Sequence, residues 1–331
     1  MSKSIIKNGA MRRALIVGIN HYERGPLDGC INDAKNMFKV LNRHEDNNVN
    51  FDCRLMISKD THNPKTQITT RRLKKQIYNL LYQEAEIAVL YFSGHGNTND
   101  IGSYLVTQDA EKYQEGVSLD EIITMANSSK VREVILILDC CHSGHLGNSK
   151  ELGGRKVILR EGVSILTSSR DTQYSIEKLN NQGLFTSILC NALKGGAADI
   201  LGNINVSGVY NYVDQLLNTW EQRPIFKSHV SKMVSLRKAY PKIRLKTLRK
   251  ITEYFPNAKY NFPLDRSYEE DLGSTDRKNI KKMKHLREYY ALGLLVPVGE
   301  KYLYNAAKNN TSCKLSRLGR YYWKMVDKNK I

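Results

Sequence analysis

Two short runs in this chain of 331 residues combine residue types that can do nucleophilic chemistry. Tyr91-Phe92-Ser93-Gly94-His95-Gly96 presents an imidazole between glycines, and Leu138-Asp139-Cys140-Cys141-His142-Ser143-Gly144 presents a thiol. A Cys–His pair in contact performs covalent catalysis. The imidazole takes the thiol proton or stabilises the thiolate, then protonates the leaving amine. The glycines, having no Cβ, let the backbone approach a substrate and turn N–H groups toward a developing oxyanion. Zinc is the competing use of Cys140, Cys141, His142 and His145. Adjacent cysteines on an extended chain point to opposite sides, however, and no second Cys-x-x-Cys pair completes four ligands.

Both runs follow short apolar segments that read as buried strands. Such segments recur at Ala14–Ile19, Asp52–Ile57, Ile87–Phe92, Glu133–Leu138 and Val163–Thr167, partly β-branched and bounded by turn formers. Between them lie helical patterns. Apolar residues fall at 31, 34, 37, 38 and 41, at 73, 77, 80 and 81, and at 119, 122, 123 and 126. The alternation predicts an α/β sandwich with helices on both faces of a mostly parallel sheet. In such sheets functional groups gather at the carboxyl ends of the strands. Neighbouring parallel strands lie about 4.8 Å apart, so groups just beyond two ends can meet.

The two runs together resemble the signature of the caspase-like cysteine peptidases, in the form found in metacaspases and their bacterial relatives. The resemblance covers roughly residues 12–235. It takes in Gly29-Cys30-Ile31-Asn32-Asp33-Ala34, similar to the metacaspase Gly-Cys-x-Asn-Asp-Ala block, and Gln222-Arg223-Pro224 near the end of that fold. It implies a caspase-like three-layer sandwich and a cysteine endopeptidase acting in regulated proteolysis, such as defence or programmed death. By the same resemblance Cys141 is the nucleophile, His95 the general acid/base, and the N–H groups of Gly96 and Cys141 the oxyanion hole. Cys140 stands where relatives carry Ser or Cys. His142 belongs to the motif, but a residue adjacent to the nucleophile cannot easily face it.

The resemblance also implies cleavage of protein substrates after Arg or Lys, through a specificity (S1) pocket matching Cys30, Asp33, Ser93 and Asp139. The physics agrees, because two carboxylates in a partly desolvated pocket bind a guanidinium or ammonium and reject an acidic side chain. No cofactor is required. The resemblance offers calcium as a metal option, with Asp109 at one matching position, Asp120-Glu121 a partial match to an Asp-Asp-Glu segment, and Leu119 where that segment has a carboxylate. The stretch 146–161 carries Lys150, Arg155, Lys156 and Arg160 among glycines, the setting of a processing linker open to autocleavage.

Composition limits the alternatives. The longest apolar runs are far shorter than the roughly 20 residues of a membrane span, and the N-terminus lacks the apolar stretch of a secretory signal. Six cysteines, two of them adjacent, do not make a disulfide framework. A cytoplasmic protein without membrane partners is expected. The 51 Lys and Arg against 33 Asp and Glu leave a net charge of +18. Residues 241–331 hold 21 basic and 9 acidic residues, so +12 of the surplus sits there. Pro241, Pro256 and Pro263 mark the change of composition. The expected organisation is a peptidase domain at 1–240, a linker at 241–265 and a basic domain at 266–331.

Within that last segment a helix is expected at 276–292, capped by Asp276, with Ile280, Met283, Leu286 and Tyr290 as its apolar stripe. A hairpin over Leu294–Tyr304, turning at Gly299-Glu300, and a helix near Leu315–Val326 follow. The order resembles a small α+β winged-helix domain. Its cations Arg277, Lys278, Lys281, Lys282 and Lys284 suit nucleic-acid phosphates or a regulatory protein partner. The rival reading of the whole chain is a DNA-binding or adaptor protein whose caspase-like domain is catalytically silent.

Overall fold

The computed structural model describes residues 11–59, 65–111, 114–140, 158–168, 177–179, 182–217, 224–231 and 233–331. The chain divides into two compact units, the first reaching Tyr240 and the second running from Pro241, with Asp199–Gly202 belonging to the second.

In the first unit the expected apolar runs form β1 (Arg12–Gly18), β2 (Asp52–Ile57), β3 (Ile87–Ser93), β7 (Glu133–Asp139) and β8 (Val163–Thr167). The helices between them are α1 (Cys30–Asn42), α2 (Thr70–Tyr82) and α3 (Leu119–Ser128). Later come α4 (Leu184–Asn191), α5 (Val206–Leu217) and the edge strand β12 (Ile225–His229). The six strands form one sheet in the order β12-β8-β7-β3-β1-β2, parallel except for β12. Alternate residues of the central strands feed two cores. Ile16, Val89, Tyr91, Ile135 and Ile137 pack with α1, α4 and α5, while Leu15, Leu90, Leu136 and Leu138 pack with α2 and α3. A mostly parallel sheet between two helical layers is the architecture expected.

Several elements were not expected. Directly after β3 the chain builds an antiparallel three-stranded sheet from β4 (Gly96–Asn99), β5 (Gly102–Glu111) and β6 (Gln114–Ser118). Two short ribbons pair β9 (Glu177–Leu179) with β10 (Gln182–Gly183), and β11 (Asn203–Asn205) with β13 (Ser235–Lys238).

The second unit contains α6 (Leu245–Arg249), α7 (Ile251–Tyr254), β14 (Asn261–Pro263), α8 (Arg277–Ala291) and β15 (Leu295–Val298). It ends with α9 (Leu303–Lys308), β16 (Ser312–Leu315) and α10 (Arg317–Asp327). Its antiparallel sheet has the order β14-β16-β15. The stretch 241–265, expected as a linker, is built into this unit, because Leu248, Ile251, Phe255, Phe262 and Leu264 belong to its core. The expected hairpin over 294–304 is also corrected. Leu295–Val298 pairs with Ser312–Leu315, and α9 occupies the connection. In α8 the Asp276 carboxylate caps the N-terminus by accepting from the Lys278 and Asn279 N–H groups at 2.9 and 3.0 Å. Tyr289 rather than Tyr290 completes the buried stripe, leaving Tyr290 exposed. Among the described residues no helix is long and apolar enough to cross a membrane.

Candidate active site

The site residues stand at the carboxyl ends of three adjacent strands. Register aligns Gly18 of β1 with Ser93 of β3, and Ser93 with Asp139 of β7. Helix α1 starts against this row. The Cys30 carbonyl would lie 2.4 Å from any Cβ at position 18, an approach that only glycine permits. The Asn20 side chain pins the helix start, accepting from the Ile31 N–H at 2.9 Å and donating to the Asp28 carbonyl at 2.9 Å. Cys30 and Asp33 are thereby carried to the strand ends on the first turn of α1.

His95 leaves β3 two residues beyond Ser93, and Gly96 after it opens β4. Its backbone is tied on both sides: its carbonyl accepts from the Val106 N–H at 3.0 Å, and its N–H donates to the Tyr22 hydroxyl at 2.9 Å. The Tyr22 and His95 rings lie 4.6 Å apart at 52°. A Cβ on Gly94 would come within 2.5 Å of the Tyr22 hydroxyl, so glycine lets this tyrosine approach. The imidazole Nε2 is 2.6 Å from the Gly25 carbonyl. A carbonyl only accepts, so Nε2 carries the proton and, in the neutral ring, Nδ1 holds the lone pair. Gly25 adopts a φ of +67°, a left-handed backbone that glycine reaches without strain.

Asp33 and Asp139 meet beside this histidine's strand. Asp33 is only 2% exposed. Its two oxygens accept from the Gly183 N–H at 3.0 and 3.3 Å, and the Ser93 hydroxyl donates to it at 3.4 Å. Asp139 accepts from the Thr186 hydroxyl at 2.7 Å. The two carboxylates converge on Gly183, where an added Cβ would lie 3.0 Å from one and 3.4 Å from the other. Burial first, and the charge of Asp139 second, raise the Asp33 carboxyl to about 7. Burial also raises Asp139, against hydrogen bonds from Thr186 and Ser168. Neither carboxylate bonds a lysine or arginine among the described residues. Asp33 is buried and Asp139 half-buried, and two carboxyl groups held this close favour a cationic group beside them.

Cys140 is buried in the core beneath α2 and α3, among residues such as Leu138 and Ile122. Cys141 lies outside the described residues, as do His142, Lys150, Arg155 and Lys156. Of the stretch 146–161, Arg160 is described, and it is no loose linker cation. Its guanidinium donates to the carbonyls of Ala126 at 3.0 Å, Val131 at 2.6 Å and Glu161 at 2.5 Å. Asp109, the first calcium candidate, is engaged in hydrogen bonds within the fold. One of its oxygens accepts from the Thr70 N–H at 2.8 Å, the Thr70 hydroxyl at 3.2 Å and the Thr107 hydroxyl at 2.7 Å, fastening β5 to the start of α2. Asp120 is exposed on α3, and its neighbour Glu121 is paired with Lys74 at 2.8 Å. Among the described residues no three of His, Cys, Asp and Glu gather into a metal-holding group.

Tyr22, Gly25, Gly183 and Thr186 escaped the sequence reading. The only signal for them is the Gly25-Pro26 turn and a glycine placed just before an apolar run. On α8, Arg277, Lys278, Lys281 and Lys284 are exposed, whereas Lys282 is half-buried.

Comparison with known proteins gives the family and the fold. The family profile described as Caspase domain, Peptidase C14, matches residues 11–235. Metacaspase-1 of Botryotinia fuckeliana is 33% identical over 147 residues, covering 40% of this chain and 34% of that protein. Metacaspase-1A of Aspergillus oryzae is 30% identical over 164 residues, covering 45% and 38%. The matches thus span only about a third of the length of these relatives. A solved protein of Geobacter sulfurreducens has the same fold, with a TM-score of 0.50 and 17% identity over 70% of this chain and 98% of that one.

Proposed function

Because the chain belongs to the caspase-domain family, Peptidase C14, we propose that it is a cysteine endopeptidase that cleaves protein substrates after Arg or Lys. The observation that carries this reading is the convergence of buried Asp33 and half-buried Asp139 on Gly183 at the strand ends, with no lysine or arginine bonded to either among the described residues. The basic side chain of the substrate supplies the missing charge. Its guanidinium or ammonium donates to both carboxylates, with Ser93 and Cys30 beside them.

Cys141 is the nucleophile. Ser93 pairs with Asp139 across β3 and β7, so His95 and Cys141 each follow a register partner by two residues. His95 Nδ1 takes the thiol proton, and the thiolate attacks the scissile carbonyl. The oxyanion is received by N–H groups of Gly96 and Cys141. The imidazolium then protonates the leaving amine, and water activated by the same nitrogen hydrolyses the thioester. The Gly25 carbonyl and Tyr22 hold the ring through both proton transfers.

Fluorogenic peptides ending in Arg, Lys or Asp, assayed with and without calcium, test the reading. The full chain is expected to cleave after Arg and Lys, and Cys141→Ala and His95→Ala to lower kcat by at least ~1,000-fold. Cleavage after Asp alone, or activity surviving in Cys141→Ala, would overturn it.

For the second unit we propose phosphate contact through α8. Exposed Arg277, Lys278, Lys281 and Lys284 have no side-chain partner among the described residues, and the segment carries most of the surplus charge.

A further inference from the structure

Beneath the acidic pair runs a chain of hydroxyl groups that the catalytic reading does not use. Thr186, in the first turn of α4, donates to Asp139 Oδ2 at 2.7 Å. Its oxygen lies 2.5 Å from the phenol of Tyr91, which is fully buried in β3. Each hydroxyl has one hydrogen. With Asp139 ionised, Thr186 gives its one proton to the carboxylate and the phenol donates to Thr186, in the order Tyr91→Thr186→Asp139. That order requires Asp139 to accept, as an ionised carboxylate does. The same helix end holds the other acid, because Gly183, the residue before α4, donates its N–H to Asp33. The α4 N-terminus therefore opposes the tendency of two acids held this close to take up protons.

We propose that Thr186, ordered by Tyr91, is a specificity-determining positioning residue that holds Asp139 as a charged acceptor for the basic side chain of the substrate. The proposal rests on the reading of Asp33 and Asp139 as the pocket for Arg or Lys. Without the Thr186 hydroxyl, Asp139 keeps Ser168 as a donor but loses its link to the core. It then turns or protonates, and the pocket loses charge where a guanidinium needs it. The titratable groups facing Asp139 among the described residues are Asp33 from α1, Tyr91 from β3 and Cys190 from α4. All three are acids, so none replaces the missing donor with a positive charge.

Thr186→Val keeps the shape and removes the hydroxyl. In the full chain it is expected to raise KM for peptides ending in Arg about 10-fold or more, with kcat changed far less. The ratio of Arg to norleucine cleavage should fall by the same factor, and the acid limb of kcat/KM should move to higher pH. Thr186→Ser should restore all three, and Tyr91→Phe should shift them in the same direction by less. A merely structural role would change stability and leave the Arg to norleucine ratio and the acid limb where they were. That result in Thr186→Val, or in Tyr91→Phe should the valine variant not fold, overturns the proposal. If the unmodified chain itself prefers norleucine to Arg, the reading of the pocket falls, and this proposal with it. A chain that prefers Arg with an indifferent Thr186→Val sinks only the role of Thr186.

Discussion

At Asp33 the fold holds a carboxyl that ionises only near neutrality, raised from an ordinary value of 3.8 to about 7 by burial and by Asp139. Between those two values the folded chain binds more protons than the unfolded chain. The contribution of Asp33 to stability is therefore fully present below about pH 4 and is lost as pH rises through about 7. Asp33→Asn has no charge to bury, so it should be the more stable protein at pH 8, by an amount on the order of a few kcal/mol. Urea denaturation of both chains at pH 4.5 and pH 8 checks this. Equal responses to pH would mean that Asp33 is not the group that titrates. If the proposed pocket takes a guanidinium, that cation stabilises the ionised pair, and a basic substrate should bind with loss of a proton.

Among the elements, α4 matters more than its eight residues suggest. Gly183 at its start has a φ of −64°, which alanine also accepts, so the backbone does not demand glycine there. The space does, because the methyl group would sit between the two carboxylates. Gly183→Ala should raise KM for Arg peptides several-fold while leaving the denaturation midpoint nearly unchanged, and unaltered KM would exclude α4 as a pocket wall. This wall was not legible in the sequence. Leu184-Phe185-Thr186-Ser187-Ile188-Leu189-Cys190 reads as an apolar helix or strand, and Thr186 meets its carboxylate partner 47 residues away. The strands β1, β3, β7 and β8 were legible because strands buried on both faces are nearly all apolar. The sheet of β4 to β6 was not, since Gly96-Asn97-Thr98-Asn99 alternates only weakly. At Gly299 the alternation suggested a hairpin, yet Leu303–Lys308 coils into α9, where Ala306 and Ala307 favour helix. Tyr289 and Tyr290 are adjacent aromatics, and a pattern of spacing alone does not choose between them.

For the whole molecule, the surplus charge and the proposed catalytic site belong to different parts of the chain. The first 240 residues are nearly balanced, with 30 basic and 24 acidic residues, and the telling charges at the site are negative. If the four exposed cations of α8 contact phosphates, the full chain should bind duplex DNA with a log–log salt slope of about −3 to −4. Replacing Arg277, Lys278, Lys281 and Lys284 by Ala should flatten that slope, as fluorescence anisotropy would read. No binding at low salt would point to a protein partner instead. The acidic pocket also has a history within each molecule. Asp33 and the Gly183 N–H that orders it are separated by 150 residues of chain. A ribosome adding about 5–20 residues per second needs roughly 10–30 s to bridge that gap. Within that gap His95 is added 62 residues after Asp33 and Cys141 108 residues after it, so the proposed nucleophile is made 42 residues before the Gly183 that closes the pocket.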